Sequence, residues 1–260
     1  MKSLILIALL ALMPSQLSFA NSSSNCDHTK ASSKHTGKLV MFIGVDISGS
    51  FKKLKNNSLR FLSRYIYAHL HECGEAKRVR SLFVGSIGGA KPNEPKTFYP
   101  IESFKYKSIN GIEKELKKIF SRTSNKFTDY NAFFKQVATF MKNKKLVMKP
   151  TDIVLLSDGI PDAPKIKGKH NYRSLELKPL ENLSRKITVR VLYTSAVTGN
   201  QWQENVPRNR VRVWTQDANV MKMWESKDIY LKNKPFKDQE RFFDWMRENV
   251  DWAVRKKTVK

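Results

Sequence analysis

Residues 39–50 read LVMFIGVDISGS. The largely apolar stretch 39–45 runs without a break into Asp46, Ile47, Ser48, Gly49 and Ser50, and a basic, amphipathic segment follows directly. An apolar run of this length with a helix pattern behind it reads as a strand buried on both faces of an α/β sheet. Asp46, Ser48 and Ser50 then stand on the loop at the carboxyl end of that strand, where open α/β sheets bind their ligands. A carboxylate and two hydroxyls on a tight, Gly-containing turn form a set of hard oxygen ligands suited to Mg²⁺ or Mn²⁺. The same residue types also build turns and helix caps, and Ser50 alone reads as a cap of the next helix. So short a motif makes no site unless the rest of the chain supplies further ligands.

Working outward, residues 51–73 place Leu59, Leu62, Ile66 and Leu70 at helical spacing, with a basic and polar face opposite. Residues 78–87 alternate and then turn apolar, a second strand closed by Gly88-Gly89, Pro92 and Pro95. Residues 97–107 form a weak edge-strand pattern that Pro100 interrupts. Helices are expected over 111–122 and 131–145, the latter presenting Phe133, Val137, Phe140 and Met141 on one face, with a loop at 126–129 between them. A buried strand follows over 151–159, then a polar loop at 161–173 and a short helix at 179–186 with Pro at its first turn. Two more strands are expected at 187–193 and 211–215, separated by a polar loop at 201–209. A last helix over 237–255 carries Phe242, Met246, Val250 and Val254 on one stripe. Strands alternating with helices predict a doubly wound, mostly parallel central sheet flanked by helices, in one domain spanning 38–260.

Residues 1–20 stand apart from this domain. Lys2, an apolar core over 4–13 and Ser18-Phe19-Ala20 form a cleavable secretory signal too short to span a bilayer comfortably, so the mature chain is expected to begin at Asn21. No later apolar run is long enough to span one, so no transmembrane segment is expected in the mature chain. Residues 21–37, rich in Ser and Lys, read as a linker. The destination is a periplasm or the outside of the cell, where Cys26 and Cys73 are expected to pair. Cys26 precedes the first strand and Cys73 closes the helix after it, and in a doubly wound fold those two points lie on the same edge of the sheet.

The formal net charge is +25, to which residues 1–20 contribute a single lysine. Such an excess attracts acidic proteins and polyanions. The basic clusters at 52–53, 142–145, 165–169 and 255–257 accompany no nucleic-acid motif, which disfavours nucleic acid as the partner and reads as solvated surface. Trp202, Trp214, Trp224, Trp245 and Trp252 gather in the last quarter and read as core packing and helix docking.

The other half of the site is Ser157-Asp158-Gly159, again at the end of an apolar strand core. In a parallel sheet both strand ends share one edge, so Asp158 can approach the 46–50 loop. Thr128 and Asp129, ahead of the 131–145 helix, bring a third loop with a hydroxyl. D-x-S-x-S after the first strand, T-D ahead of a helix and S-D-G after a later strand together resemble the von Willebrand factor A (VWA) domain, over residues 38 to about 255. That resemblance implies a Rossmann-like VWA fold with a metal-ion-dependent adhesion site. Ser48, Ser50 and Thr128 would coordinate a divalent ion through hydroxyls, with Asp46 and Asp158 acting directly or through water. The sixth position would take a carboxylate from a protein partner. The chain departs from the family where Lys126-Phe127 replaces the Gly often found before the Thr, which leaves Thr123 as a second candidate. Asp129 is expected to support the site or to cap the helix.

This donor set suits binding rather than catalysis. Hydroxyl-rich coordination leaves the ion's charge poorly neutralised, so it seeks an anionic ligand, and no motif-linked general base is present. His69 and His71 project to different faces of their helix and read as surface or core residues. G-x-S-x-G, H-E-x-x-H and a correctly spaced P-loop are all missing, the stretch 85–91 coming nearest to the last. Two readings of function remain: a metal-dependent protein-interaction or adhesion module, and a basic polyanion- or envelope-binding protein with an incidental metal site.

Overall fold

The computed structural model describes residues 26, 37–77, 79–121, 127–163 and 165–251. The signal segment, nearly all of the linker, Thr123, Lys126, Trp252, Val254 and Arg255 lie outside the described residues.

The first strand, β1 (Leu39–Val45), is buried along its whole length. Met41, Ile43 and Val45 face one apolar layer, while Val40 and Phe42 face the other. This two-sided burial is why the strand reads as one continuous apolar run rather than an alternation. Gly44 is required by packing: a Cβ there would lie 2.8 Å from Ile87 and 2.9 Å from Leu155 and Phe133.

The elements follow as α1 (Lys52–His71), β2 (Val79–Ser86), β3 (Gly88–Gly89), β4 (Tyr99–Pro100), α2 (Ile109–Ser121), β5 (Phe127–Thr128), α3 (Tyr130–Asn143), β6 (Thr151–Leu156), α4 (Lys178–Glu181), β7 (Ile187–Thr194), α5 (Ala196–Asn205), β8 (Arg212–Asp217), α6 (Ala218–Lys222) and α7 (Glu240–Asn249). Six strands form the central sheet in the order β4-β2-β1-β6-β7-β8. All neighbours are parallel except the short edge strand β4. Helices α1, α2 and α7 cover one face of the sheet, and α3, α4 and α5 cover the other. The winding reverses between β1 and β6, so the crevice at their carboxyl ends is the topological switch point of the sheet.

Several elements differ from the sequence reading. The 201–209 region is not a polar loop: α5 runs through Asn205, capped by the Ser195 hydroxyl, and buries Trp202 completely. Its apolar stripe is so narrow that periodicity missed it. The expected edge strand at 97–107 shrinks to two residues followed by a 3₁₀ turn at Ile101–Ser103, because Pro100 supplies no N–H to continue a ladder. The 126–129 loop contains a two-residue strand, β5, that pairs antiparallel with Gly88-Gly89. The last helix is shorter than expected, starting at Glu240 after a 3₁₀ turn at Phe236–Asp238.

Cys26 and Cys73 form a disulfide, with Cys73 fully buried. Near this end of α1, His69 is buried with its Nδ1 2.8 Å from the Lys77 carbonyl and its Nε2 3.0 Å from Asp251 Oδ2. Tyr65 donates to the other Asp251 oxygen at 2.7 Å, and the charges of Arg190 and Asp152 also act on this cluster. Burial alone would lower the His69 pKa, but Asp251, the Lys77 carbonyl and Asp152 together raise it. Burial likewise pushes Asp251 up, and His69 with its other partners brings it below its ordinary value.

The signs give a window. The His69 contribution to stability is whole below pH 6.5, its ordinary value, and fades as pH rises through the raised value. The Asp251 contribution is whole above 3.8 and is lost as pH falls through the lowered value. Stability should therefore decline on the alkaline side of pH 6.5, and His69→Gln should flatten that decline in urea titrations taken across pH. An unchanged slope in the variant would exclude His69 as its source.

Candidate functional site

The ladders of the sheet carry the site residues to one place. Val45 sits opposite Leu156 on one side and Ser86 on the other. The pairing extends one step past the strand ends, with the Asp46 amide donating to the Leu156 carbonyl at 2.9 Å and the Ser157 amide to the Leu192 carbonyl at 3.0 Å. Asp46 and Ser157 thus meet at the switch point, and both are fully buried.

Asp46 Oδ1 accepts the Ser48 amide at 2.9 Å, the side-chain-to-backbone turn typical of Asp. Asp46 Oδ2 accepts the Ser157 hydroxyl at 2.5 Å. Ser157 Oγ in turn lies 2.6 Å from the Tyr130 hydroxyl and accepts the Gly159 amide at 3.0 Å. A hydroxyl has one proton to give. Because Ser157 gives its own to the carboxylate, Tyr130 must donate to Ser157, and the relay runs Tyr130 to Ser157 to Asp46. The Tyr130 pKa is driven well up by burial and then by the Asp46 charge, so the phenol keeps its proton.

Above Asp46, Ser48 Oγ and Ser50 Oγ lie 3.1 Å apart, the first buried and the second exposed. Ser50 does not cap α1; Phe51 holds that position without a side-chain bond. Asp158 is half-buried, and its Oδ1 accepts the Ile160 amide at 3.1 Å. Thr128 is buried and tied to this loop by Asp162, whose Oδ2 accepts the Thr128 amide at 2.8 Å and whose amide donates to the Thr128 carbonyl at 3.3 Å. Asp129 caps α3 by accepting the Ala132 amide at 2.9 Å and also accepts the Asn93 amide at 2.8 Å. Asp46, Ser48, Ser50, Thr128 and Asp158 therefore occupy three loops on one edge of the sheet.

Burial raises the Asp46 pKa, against the hydrogen bonds from Ser157 and Ser48, and the Asp158 charge raises it further. Among the described residues neither carboxylate belongs to an ion pair. In a chain of net charge +25, two neighbouring carboxylates without a basic partner form a local excess of negative charge that a cation would offset. No group of three His, Cys, Asp or Glu side chains among the described residues is placed to hold a metal, so a cation here would draw on hydroxyl oxygens. Ser48 and Ser50 offer them, and the donor set fits a hard divalent ion.

Sequence reasoning missed three supporting residues. Tyr130 starts the relay, Asp162 fastens the Thr128 loop, and Trp202 donates from Nε1 to the Gly159 carbonyl at 2.8 Å. Trp202 was legible only as a core aromatic, since its partner lies far away in sequence. Gly159 has φ +79°, and a Cβ there would lie 2.9 Å from Thr198 and from Trp202 Nε1. Gly159→Ala is thus expected to cost ~2 kcal/mol or more, from backbone strain alone. Tyr130→Phe should cost ~1 kcal/mol by removing one buried hydrogen bond. Urea midpoints check both, and an unshifted midpoint for Tyr130→Phe would remove the relay from the account.

No protein-family model matches the chain, and no curated protein does. Similar solved structures include the following three. Proximal thread matrix protein 1 from the mussel byssus is 12% identical over 73% of this chain and 46% of its own, with a TM-score of 0.45. The pilus adhesin SpaC from Lactobacillus rhamnosus GG, in its open conformation, is 11% identical over 74% and 29%, with a TM-score of 0.46. The human COPII-coat protein Sec24c is 12% identical over 83% and 33%, with a TM-score of 0.45. The matched region spans less than half of each of these proteins.

Proposed function

We propose that the chain is an exported, VWA-like protein-interaction or adhesion module rather than an enzyme. It would bind a partner's acidic side chain through Mg²⁺ or Mn²⁺ held by Asp46, Ser48, Ser50, Thr128 and Asp158. The observation that carries this reading is the couple Asp46 and Asp158 at the switch point, in no ion pair among the described residues, beside two adjacent hydroxyls, in a strongly basic chain.

When bound, the ion supplies a Lewis-acidic position for an anionic ligand. The chain's own groups do the rest. Asp46 supplies charge from below, held in orientation by Ser157 and the Ser48 amide. Ser48 and Ser50 supply neutral oxygens, which add no negative charge at the ion beyond that of Asp46 and Asp158. Lys52 and Lys53 stand exposed just beyond, at the positive end of the α1 dipole and with no acid in its first turn. That arrangement disfavours the helix but draws an anion toward this edge.

Capture of partners from the native compartment by the immobilised chain, with Mg²⁺ or with EDTA, tests the reading. Capture should require the ion and be lost in Ser48→Ala. The net charge of +25 favours a second reading, in which the chain binds polyanions or the cell envelope and the metal site is incidental. Capture that ignores EDTA but falls steeply with salt would establish that second reading.

A further inference from the structure

Between Asp162 and Glu176 the sequence holds no acid, and residues 165–170 read KIKGKH. Lys167 has φ 49° and Gly168 φ +75°. Ile166 and Lys169 exchange both backbone bonds, at 2.9 and 3.0 Å. Two left-handed residues between a bridged pair make a two-residue hairpin. Lysine is a costly choice at the first of those positions, where Asn, Asp or Gly is usual. Lys165, Ile166, Lys167 and Lys169 are all exposed, Ile166 by 58%.

The hairpin stands on the candidate site. One foot is Asp162, bonded twice to Thr128. His170 Nδ1 lies 3.2 Å from the Pro161 carbonyl, which ties the two feet together. Beyond the other foot, buried Tyr172 interacts with Thr198, whose methyl group lies at Gly159.

We propose that the 165–169 hairpin is the second half of the binding face and grips an acidic protein segment carrying apolar side chains. Its lysines pair with the segment's carboxylates, and Ile166 supplies an apolar contact. The proposal rests on the reading that the Asp46–Asp158 edge binds a protein. Ile166 at the turn favours a peptide over a nucleic acid, since the hairpin presents no Phe, Tyr or Trp on which bases could stack.

The test measures fluorescence anisotropy with the full chain and three labelled probes, a Glu/Leu peptide and a Glu/Gly peptide of equal length and charge and an oligothymidylate, in Mg²⁺ and in EDTA. Neutralising the hairpin in K165Q/K167Q/K169Q should weaken Glu/Leu binding about tenfold, three rim charges each contributing a fraction of that factor. Ile166→Ser should weaken the Glu/Leu probe and leave the Glu/Gly probe unchanged. K142Q/K144Q/K145Q removes the same charge from exposed lysines at the end of α3, the edge opposite the site, and should change little. Equal weakening by both triple variants would reduce the effect to net charge and overturn the proposal. Tighter binding of an oligothymidylate than of the Glu/Leu peptide would overturn it in favour of nucleic acid. Binding lost in EDTA but intact in the hairpin variant keeps the metal reading and rejects the hairpin. Binding lost in the hairpin variant but indifferent to EDTA keeps the hairpin and rejects the metal bridge.

Discussion

Mg²⁺ at about a hundred times its dissociation constant is expected to raise the melting temperature of the wild-type chain by ~5–10 °C, and that of Asp46→Asn not at all. A ligand at that excess stabilises the folded state by about 2.7 kcal/mol, and each kcal/mol moves the melting point of a domain this size by roughly 2–4 °C. The sequence reading places Asp46 on a loop outside the core, where Ala would leave the fold largely intact with at most a modest change in stability. In the structure Asp46 is fully buried, so Ala would strand the Ser157 hydroxyl and the Ser48 amide, each at a cost of about 1–3 kcal/mol. Asn is the informative variant. Its oxygen still accepts the Ser48 amide, and its amide can donate to Ser157, which reverses the relay toward Tyr130.

Without metal, the pH dependence carries a sign of its own. The Asp46 pKa is raised, chiefly by burial, so its contribution is whole below 3.8 and is lost as pH rises through the raised value. The metal-free wild type should lose stability over that interval, and Asp46→Asn should not. Added Mg²⁺ should reverse the wild-type trend, because the ion needs the carboxylate ionised. Asp158→Asn should also abolish the Mg²⁺ shift. A full shift retained in both variants would place the ion elsewhere, and no shift in the wild type with either Mg²⁺ or Mn²⁺ would leave the charge-driven alternative.

Loss of the Cys26–Cys73 disulfide is expected to cost ~4 kcal/mol, or roughly 8–16 °C in melting temperature. The bridge closes a loop of sequence separation 47 that contains β1, α1 and the 46–50 turn, and most of its effect falls on the unfolded chain. Cys26→Ser isolates that effect better than a change at Cys73, which is completely buried and would put a hydroxyl into the core. Equal melting points for the oxidised chain and for Cys26→Ser would remove the bridge from the stability of the fold. Two free thiols by mass spectrometry of the purified protein would remove the bridge itself.

The sequence by itself determined the strands that form the sheet's centre. β1 and β6 lie between helices on both faces, so their burial is written as apolar runs, whereas β7, buried just as fully, carries Thr188 and Arg190 among its apolar residues. It also determined which loops carry oxygen donors, because Asp46, Ser48, Ser50 and Asp158 directly follow such runs and the carboxyl ends of parallel strands share an edge. The two cysteines were legible for the same topological reason. What only the tertiary structure decided are contacts between residues far apart in the chain, which leave no local period. The Tyr130–Ser157–Asp46 relay joins β1, α3 and the end of β6, and Trp202 reaches the Gly159 carbonyl from a helix with little amphipathic signal. The depth of Asp46 is likewise a tertiary property. A turn residue is exposed by default, and this one is buried because the Leu156 ladder and the Ser157 hydroxyl close over it.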